Sequence, residues 1–228
     1  MRSHHCLRVR FFSFALCLTL LLSVSVRAEA MTMTLHGTGF DASGNALGNG
    51  GVDGSWTVTS QYGTTAYAIT SASPDWYSGW LANSDTNGFN GSGWINDSYT
   101  ASNGGNSPMP VYSMSFSLSS FQLSSVSIAG YYAWDDAYTM SINGNVVASA
   151  PYSGGALNAF SIINTSWLNQ GLNTVTIAET GTDNNMEGIR FQGVVTGLAL
   201  PEPPGVLLLL AGFALTGAVS RGKTRRRA

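Results

Sequence analysis

An all-β sandwich is predicted for residues 31–200, and three observations predict it. Apolar residues alternate with Ser and Thr over short runs, the two-residue period of a strand with one dry and one wet side. These runs recur at short spacing, separated by turn-forming Asn and Gly, and no long helical pattern interrupts them. The stretch is rich in Gly, Ser, Thr and Asn, carries few charges and keeps many Trp, Tyr and β-branched residues. Such a composition suits a folded extracellular β domain and argues against disorder.

Residues 55–61 and 65–70 read as two strands around Tyr62-Gly63. The next segment, 71–110, is dense in Asn, Gly, Ser and Asp and is punctuated by Trp76, Tyr77, Trp80, Phe89 and Trp94. A stretch that long without any structure is improbable inside a compact domain, so Trp80-Leu81 and Gly93-Trp94-Ile95 are expected to be short core strands. From Val111 the alternation is clean, with Tyr112, Met114, Phe116 and Leu118 on one face and Ser113, Ser115 and Ser117 on the other. Val126-Ser127-Ile128 starts a strand that continues to Trp134, and Tyr138, Met140 and Ile142 mark the next. Asn143-Gly144 supplies the positive-φ pair of a tight hairpin, with Val146-Val147-Ala148 returning. Residues 160–163, 173–177 and 189–195 complete the set, and Ser166-Trp167-Leu168 reads as one helical turn.

Both ends read as targeting segments. Arg2, Arg8 and Arg10 precede an apolar run over 11–26, and Val26-Arg27-Ala28 and Ala28-Glu29-Ala30 both present small residues to a signal peptidase. Residues 1–30 are therefore expected to be a signal peptide cut after Ala28 or Ala30. At the other end, Pro201-Glu202-Pro203-Pro204 leads into an apolar run over 205–219, followed by Arg221, Lys223, Arg225, Arg226 and Arg227. The prolines stop any incoming element, and the basic cluster resists crossing a bilayer and stays cytoplasmic. The apolar run has 15 residues. As a helix it is about 22 Å long, short for a permanent span and suited to transient membrane insertion.

In that order, residues 201–228 resemble the PEP-CTERM sorting signal of exported bacterial proteins, with Pro201, Glu202 and Pro203 as the sorting motif. The resemblance implies an exosortase-type membrane protease/transpeptidase as partner. It also implies a setting of exopolysaccharide, biofilm and extracellular matrix at the surface of a Gram-negative-type bacterium.

Removing both ends leaves one base, Arg190, against ten acids, a formal charge of −9 over residues 31–200. That sign argues against nucleic acid as a partner. Both cysteines, Cys6 and Cys17, fall in the signal peptide, so the exported part has no disulfide. His36 is its only histidine and is expected at the surface; no thiol, no lysine and no Gly-x-Ser-x-Gly elbow accompanies it. Nucleophilic catalysis and a histidine zinc site lack the residues they need.

A second resemblance spans roughly residues 51–195. Gly93-Trp94-Ile95, the strand over 112–118, Ala133-Trp134-Asp135-Asp136, Ile142-Asn143-Gly144, Gly171-Leu172-Asn173-Thr174-Val175 and Glu187-Gly188-Ile189-Arg190-Phe191 occur in order. Together they resemble the galactose-binding-like jelly-roll domains of PEP-CTERM proteins, although Asp136 stands where those domains often carry Asn. The expected fold is thus a jelly-roll-like β-sandwich flanked by a signal peptide and a transmembrane sorting helix.

Two kinds of site are open to such a domain. Calcium takes oxygen ligands, and the densest carboxylates are Asp135, Asp136, Asp183 and Glu187. The resemblance implies a structural calcium ion, against the plainer reading of solvated loop acids. Glycan binding requires an exposed aromatic face beside hydrogen-bonding groups, for which Trp76, Tyr77 and Trp134 are candidates; the competing role is core packing. The expected function is an exported, noncatalytic, glycan-contacting or structural module. The alternatives are a permanently tethered surface protein and a carbohydrate-active enzyme with two convergent carboxylates.

Overall fold

A computed structural model describes residues 28–74, 76–83, 91–100, 108–181 and 185–200. The sorting motif, the apolar and basic tail, most of the signal peptide and Asp183 lie outside these residues. Among the described residues, no helix is long and apolar enough to cross a membrane.

The unit Ala30–Ala199 is all-β. Its strands are β1 (Ala30–Leu35), β2 (Val52–Ser60), β3 (Gly63–Ile69), β4 (Trp94–Asn96), β5 (Val111–Ser117) and β6 (Ser127–Asp135). They continue with β7 (Ala137–Ile142), β8 (Asn145–Ala150), β9 (Asn158–Ile162), β10 (Leu172–Gly181) and β11 (Gly188–Leu198). The helical content of the described residues is two single 3-10 turns, Leu123–Ser125 and Thr165–Trp167.

All pairings are antiparallel, and hydrogen bonding runs β8-β7-β10-β5-β2-β3-β4-β11-β6-β9, with β1 added beside β11. The two ends of that path, β8 and β9, touch, so the sheet curls over the main core as a sandwich. Burial follows the alternation that the sequence shows. Tyr112, Met114 and Phe116 of β5, Tyr138, Met140 and Ile142 of β7, and Val175 and Ile177 of β10 point inward to meet Ile128, Phe191 and Val195 from β6 and β11. Removing these faces from water drives the assembly. The β7–β8 hairpin turns on Asn143 at φ 49° and Gly144 at φ 82°, the positive-φ pair that an Asn-Gly turn requires.

Three local features go beyond the sequence reading. β1 is an additional strand; Ala30 pairs with Leu198 and Leu35 with Gly193. Trp80-Leu81 is buried but forms no strand, because its backbone bonds locally and to another loop. Trp80 N–H donates to the Tyr77 carbonyl at 3.0 Å, and Leu81 N–H donates to the Gly154 carbonyl at 2.8 Å. Arg190 is fully buried and reaches the Ala82 carbonyl, near a second apolar cluster formed by Ile69, Trp80, Trp94 and Ala133.

That cluster is a small lid of aromatics. Trp80 stacks on Trp94 with centroids 4.5 Å apart and planes 15° apart, and Trp76 meets Trp80 edge-on at 5.4 Å. The Trp94 indole donates to the Leu81 carbonyl at 2.9 Å, and Asn83 donates to the Ile69 carbonyl at 3.1 Å.

Candidate ligand-binding pole

Sheet register gathers five acids from four chain segments at one pole. Asp135 ends β6 opposite Gly188, the first residue of β11, so Glu187 falls beside it. Ile95 of β4 pairs with Ile189, which carries Asp97 to the same end. Glu179 of β10 stands opposite Tyr138 at the start of β7, next to the Asp136 connection. Asp97, Asp135, Glu179 and Glu187 are buried, and Asp136 is half-buried. Of the four expected calcium ligands, Asp135, Asp136 and Glu187 are brought together, and none of these three is a solvated loop acid. The Asp135–Asp136 peptide bond is cis.

The polar contacts are specific. Asp136 N–H donates to Glu187 Oε2 at 2.8 Å, and Asn96 Nδ2 donates to the Glu187 carbonyl at 2.8 Å. The Trp80 indole donates to Asp135 Oδ2 at 2.5 Å, which ties the aromatic lid to the acids. Tyr112 hydroxyl donates to Asn96 Oδ1 at 3.3 Å and accepts from Asp97 N–H at 3.1 Å. Tyr138 hydroxyl donates to Glu179 Oε2 at 3.5 Å. Glu179 Oε1 is buried with no hydrogen-bond partner, and such an atom is costly to hold charged.

Crowding of like charge in a dry setting shows in the protonation. Burial, then a hydrogen bond and repulsion from Asp136, push Asp135 up to about 8. Burial, then repulsion from Asp97 and Asp136, push Glu179 up to about 7. Tyr112 and Tyr138 are both driven well above the usual phenol range, first by burial. The side-chain donors here are hard oxygens, the type that calcium takes. Among the described residues, no three His, Cys, Asp or Glu side chains are already grouped as metal ligands.

Beside the acids lies an exposed aromatic pair. Tyr77 is 42% exposed and Tyr152 is 43% exposed. Their rings meet edge-on at 6.3 Å, and the Tyr152 hydroxyl donates to the Gly79 carbonyl at 3.2 Å. The nearby Asp135 and Asp136 charges help to raise the Tyr152 phenol, after burial. Trp76 is half-buried against Trp80.

Trp134 is corrected from candidate platform to core residue. It is 0% exposed, stacks on Tyr132 at 4.0 Å and donates its indole N–H to the Pro151 carbonyl at 3.0 Å. The parity of β6 sends it inward, into the same cluster as Tyr138. His36 is likewise not a free surface residue. It is half-buried, with Nε2 3.0 Å from the Phe40 carbonyl oxygen and 3.7 Å from Asp53 Oδ1. His36 lines a cavity of about 510 Å³ with Thr34, Phe40, Ser43 and Gly91.

Asp97, Glu179 and Tyr152 are members of this pole that the sequence reading does not single out. Glu179 is legible in retrospect, since it continues the inward positions Asn173, Val175 and Ile177 of β10. Asp97 directly follows the core strand β4, but its burial depends on Tyr112 and β11, far away in sequence.

No protein-family model matches the chain, and no curated protein sequence matches it. Among solved structures, it is similar to a family 35 carbohydrate-binding module from Clostridium thermocellum, at 15% identity and TM-score 0.29, over 49% of this chain and 83% of that one. It is also similar to a CBM36-1 domain of a multidomain xylanase from the hindgut metagenome of Trinervitermes trinervoides, at 14% identity and TM-score 0.30, over 62% and 96%. A third similarity is to a CBM36 module solved in complex with calcium and xylotriose, at 16% identity and TM-score 0.29, over 62% and 99%.

Proposed function

We propose that the β-sandwich is an exported, noncatalytic module that contacts glycan, delivered through a PEP-CTERM signal to the cell surface or matrix. The observation that carries the glycan reading is the exposed Tyr77–Tyr152 pair beside Asp135 and Asp136. A sugar ring has an apolar face and a polar rim, and this surface offers an aromatic face beside carboxylates. The local charge selects against anionic glycans and leaves neutral or cationic ones. Tyr77 is retained as a contact residue, Trp76 supports the lid from which Tyr77 projects, and Tyr152 joins them.

Tyr77→Ala and Tyr152→Ala are each expected to weaken retention of the exported protein about tenfold, the loss of one aromatic anchor. The assay is migration through native gels containing β-glucan, xylan or the producing cell's own exopolysaccharide. Melting temperature should move little, because both side chains are exposed. Equal retention by both variants on every matrix that holds the parent would remove the pair as the contact surface.

The sorting half of the proposal stands on residues 201–228. Intact mass of protein recovered outside its native host should show a product beginning near Glu29 or Met31 and ending near residues 201–204. A product that keeps Arg221 to Arg227 and partitions with membranes would instead establish the tethered alternative.

Calcium belongs to the same functional reading. Bound beside Asp136 and Glu187, it would offset the charge crowding at this pole and fix the loops that carry Tyr77 and Tyr152.

A further inference from the structure

We propose that the end of the sandwich where the chain leaves β11, opposite the acids, is an interaction surface that rests on the headgroup layer of a phospholipid bilayer. The inference rests on the reading of residues 201–228 as a tail that enters the bilayer. It adds a second contact, made by the folded domain itself.

Register and loop bonding bring four segments to that end. Ala199 bridges Phe121, and the Leu198 carbonyl accepts from Gln122 N–H at 2.7 Å, so the chain leaves against the Leu123–Ser125 turn. Leu172 opens β10 opposite Ser117, the last residue of β5, and Leu118 N–H donates to the Gly171 carbonyl at 2.9 Å. Ile163 follows Ile162, which pairs with Ile128 at the start of β6. The Thr165–Trp167 turn lies against the Leu123–Ser125 turn, and the Trp167 carbonyl accepts from Asn143 Nδ2 at 2.8 Å.

This end is apolar without being charged. Ile163 is 79% exposed and Leu172 is 65% exposed, with Leu123 and Trp167 half-buried. Single exposed apolar residues are ordinary on a folded domain. Several at one end, with a tryptophan among them, match the composition of a surface that meets the membrane interface. The exposed Asn164, Ser166, Asn169 and Gln170 add uncharged groups that can hydrogen-bond to headgroups. No Asp, Glu, Lys, Arg or His occurs over residues 98–134 or 137–178, which supply this surface. Glu29, just before β1, is lost if the signal peptide is cut after Ala30. The acids at the other end stand a strand length away, roughly 33 Å along β11. That distance is several times the screening length of about 8 Å at physiological ionic strength, so even an anionic bilayer barely repels this end.

The length of the connection selects the occupant. Residues 200–204 separate Ala199 from the apolar run over 205–219. Fully extended, they reach about 17 Å at most. With the apolar run inside the bilayer, the domain is therefore held close to the lipid by the same end that exposes Ile163 and Leu172.

The test uses the exported protein with its tail intact, in vesicles of phosphatidylethanolamine and phosphatidylglycerol. Both native cysteines lie in the expected signal peptide, so Ile163→Cys or Leu172→Cys supplies a unique thiol for a bimane dye. Lipid carrying a quencher near the top of its acyl chains should remove about half of the emission from either position, the depth of an interfacial contact. Tyr62→Cys should stay unquenched, because Tyr62 is exposed beyond Thr59, which pairs with Val111 at the other end of β5. The protein without any dye gives a second reading. Brominated lipid should quench part of its tryptophan emission, and Trp167→Phe should remove most of that quenching. Tail-bearing protein that stays with the vesicles but shows no quenching at 163, 172 or Trp167 would overturn the contact and leave the sorting reading standing. Protein that does not stay with the vesicles would overturn both. Protection of positions 163 and 172 from a water-soluble maleimide in the host's own membranes, but not in these vesicles, would assign the surface to a protein partner and overturn the lipid.

Discussion

Arg190→Ala is expected to destabilise the exported protein by about 3–5 kcal/mol, the range for breaking a buried charged network or emptying a large core position. Arg190 is the sole base of residues 31–200 and is fully buried. Its Nε donates to Ser92 Oγ at 2.8 Å, and its Nη1 donates to the Ala82 carbonyl at 2.7 Å. Ser92 in turn donates to Gln192 Oε1 at 2.9 Å, so one guanidinium ties the 81–83 segment to the residues that lead into β4 and to β11. Truncation would leave those acceptors dry and unpaired and release the segment that receives the Trp94 indole. Arg190→Lys keeps the charge but loses the rigid fork, so an intermediate loss is expected. Urea denaturation at constant m-value measures both. A loss below about 1 kcal/mol for Arg190→Ala would show that the network is not what holds the lid.

The second large effect is a dependence on pH opposite to that of most acidic proteins. Glu179 lies at about 7 and Asp135 at about 8 in the folded protein, both above their ordinary values of 4.5 and 3.8. Between the unfolded and folded values the folded state binds more protons, so stability falls as pH rises through that window. The contribution is fully present below about pH 4 and is gone above about pH 8. For Glu179 alone the change is on the order of 3 kcal/mol. Melting in chelator should therefore drop steadily from pH 5 to pH 8, and Glu179→Gln should flatten part of the slope. Rising stability over the same interval would mean that these carboxylates are not held protonated by burial.

The strands were readable because nearly every one shows its face through simple alternation. Tyr112, Met114 and Phe116, then Tyr138, Met140 and Ile142, declare the inward side without any knowledge of partners. β1 was harder, since Thr32 and Thr34 alternate with methionines over a short stretch next to an expected processing site. Trp80 shows a different limit. Its burial was legible from composition, but its loop conformation depends on Gly154, far off in sequence.

The site was legible in fragments. Asp135, Asp136 and Glu187 stood out as oxygen-rich patches, and Tyr77 stood out as a loop aromatic. Trp134 misled because a tryptophan beside two acids has the same local sequence whether it faces water or the core; strand parity decides. Tyr152 gains its place only when the 151–156 turn docks on Gly79. Asp97 converges with Glu179 only through the strand order β5-β2-β3-β4-β11, which no short motif encodes.

The pairing of Ala30 with Leu198 gives the sandwich a front and a back. Chain entry and chain exit lie side by side at one end of β11, while Gly188, next to Glu187, lies at the other. With 11 residues, that strand spans roughly 33 Å. The acid and tyrosine pole therefore lies at the opposite end of β11 from the place where the chain enters and leaves the sandwich. A domain fused at the amino end would join the sandwich at the end away from those acids and tyrosines. That separation of chain ends from the acid pole follows from a single pair of strands.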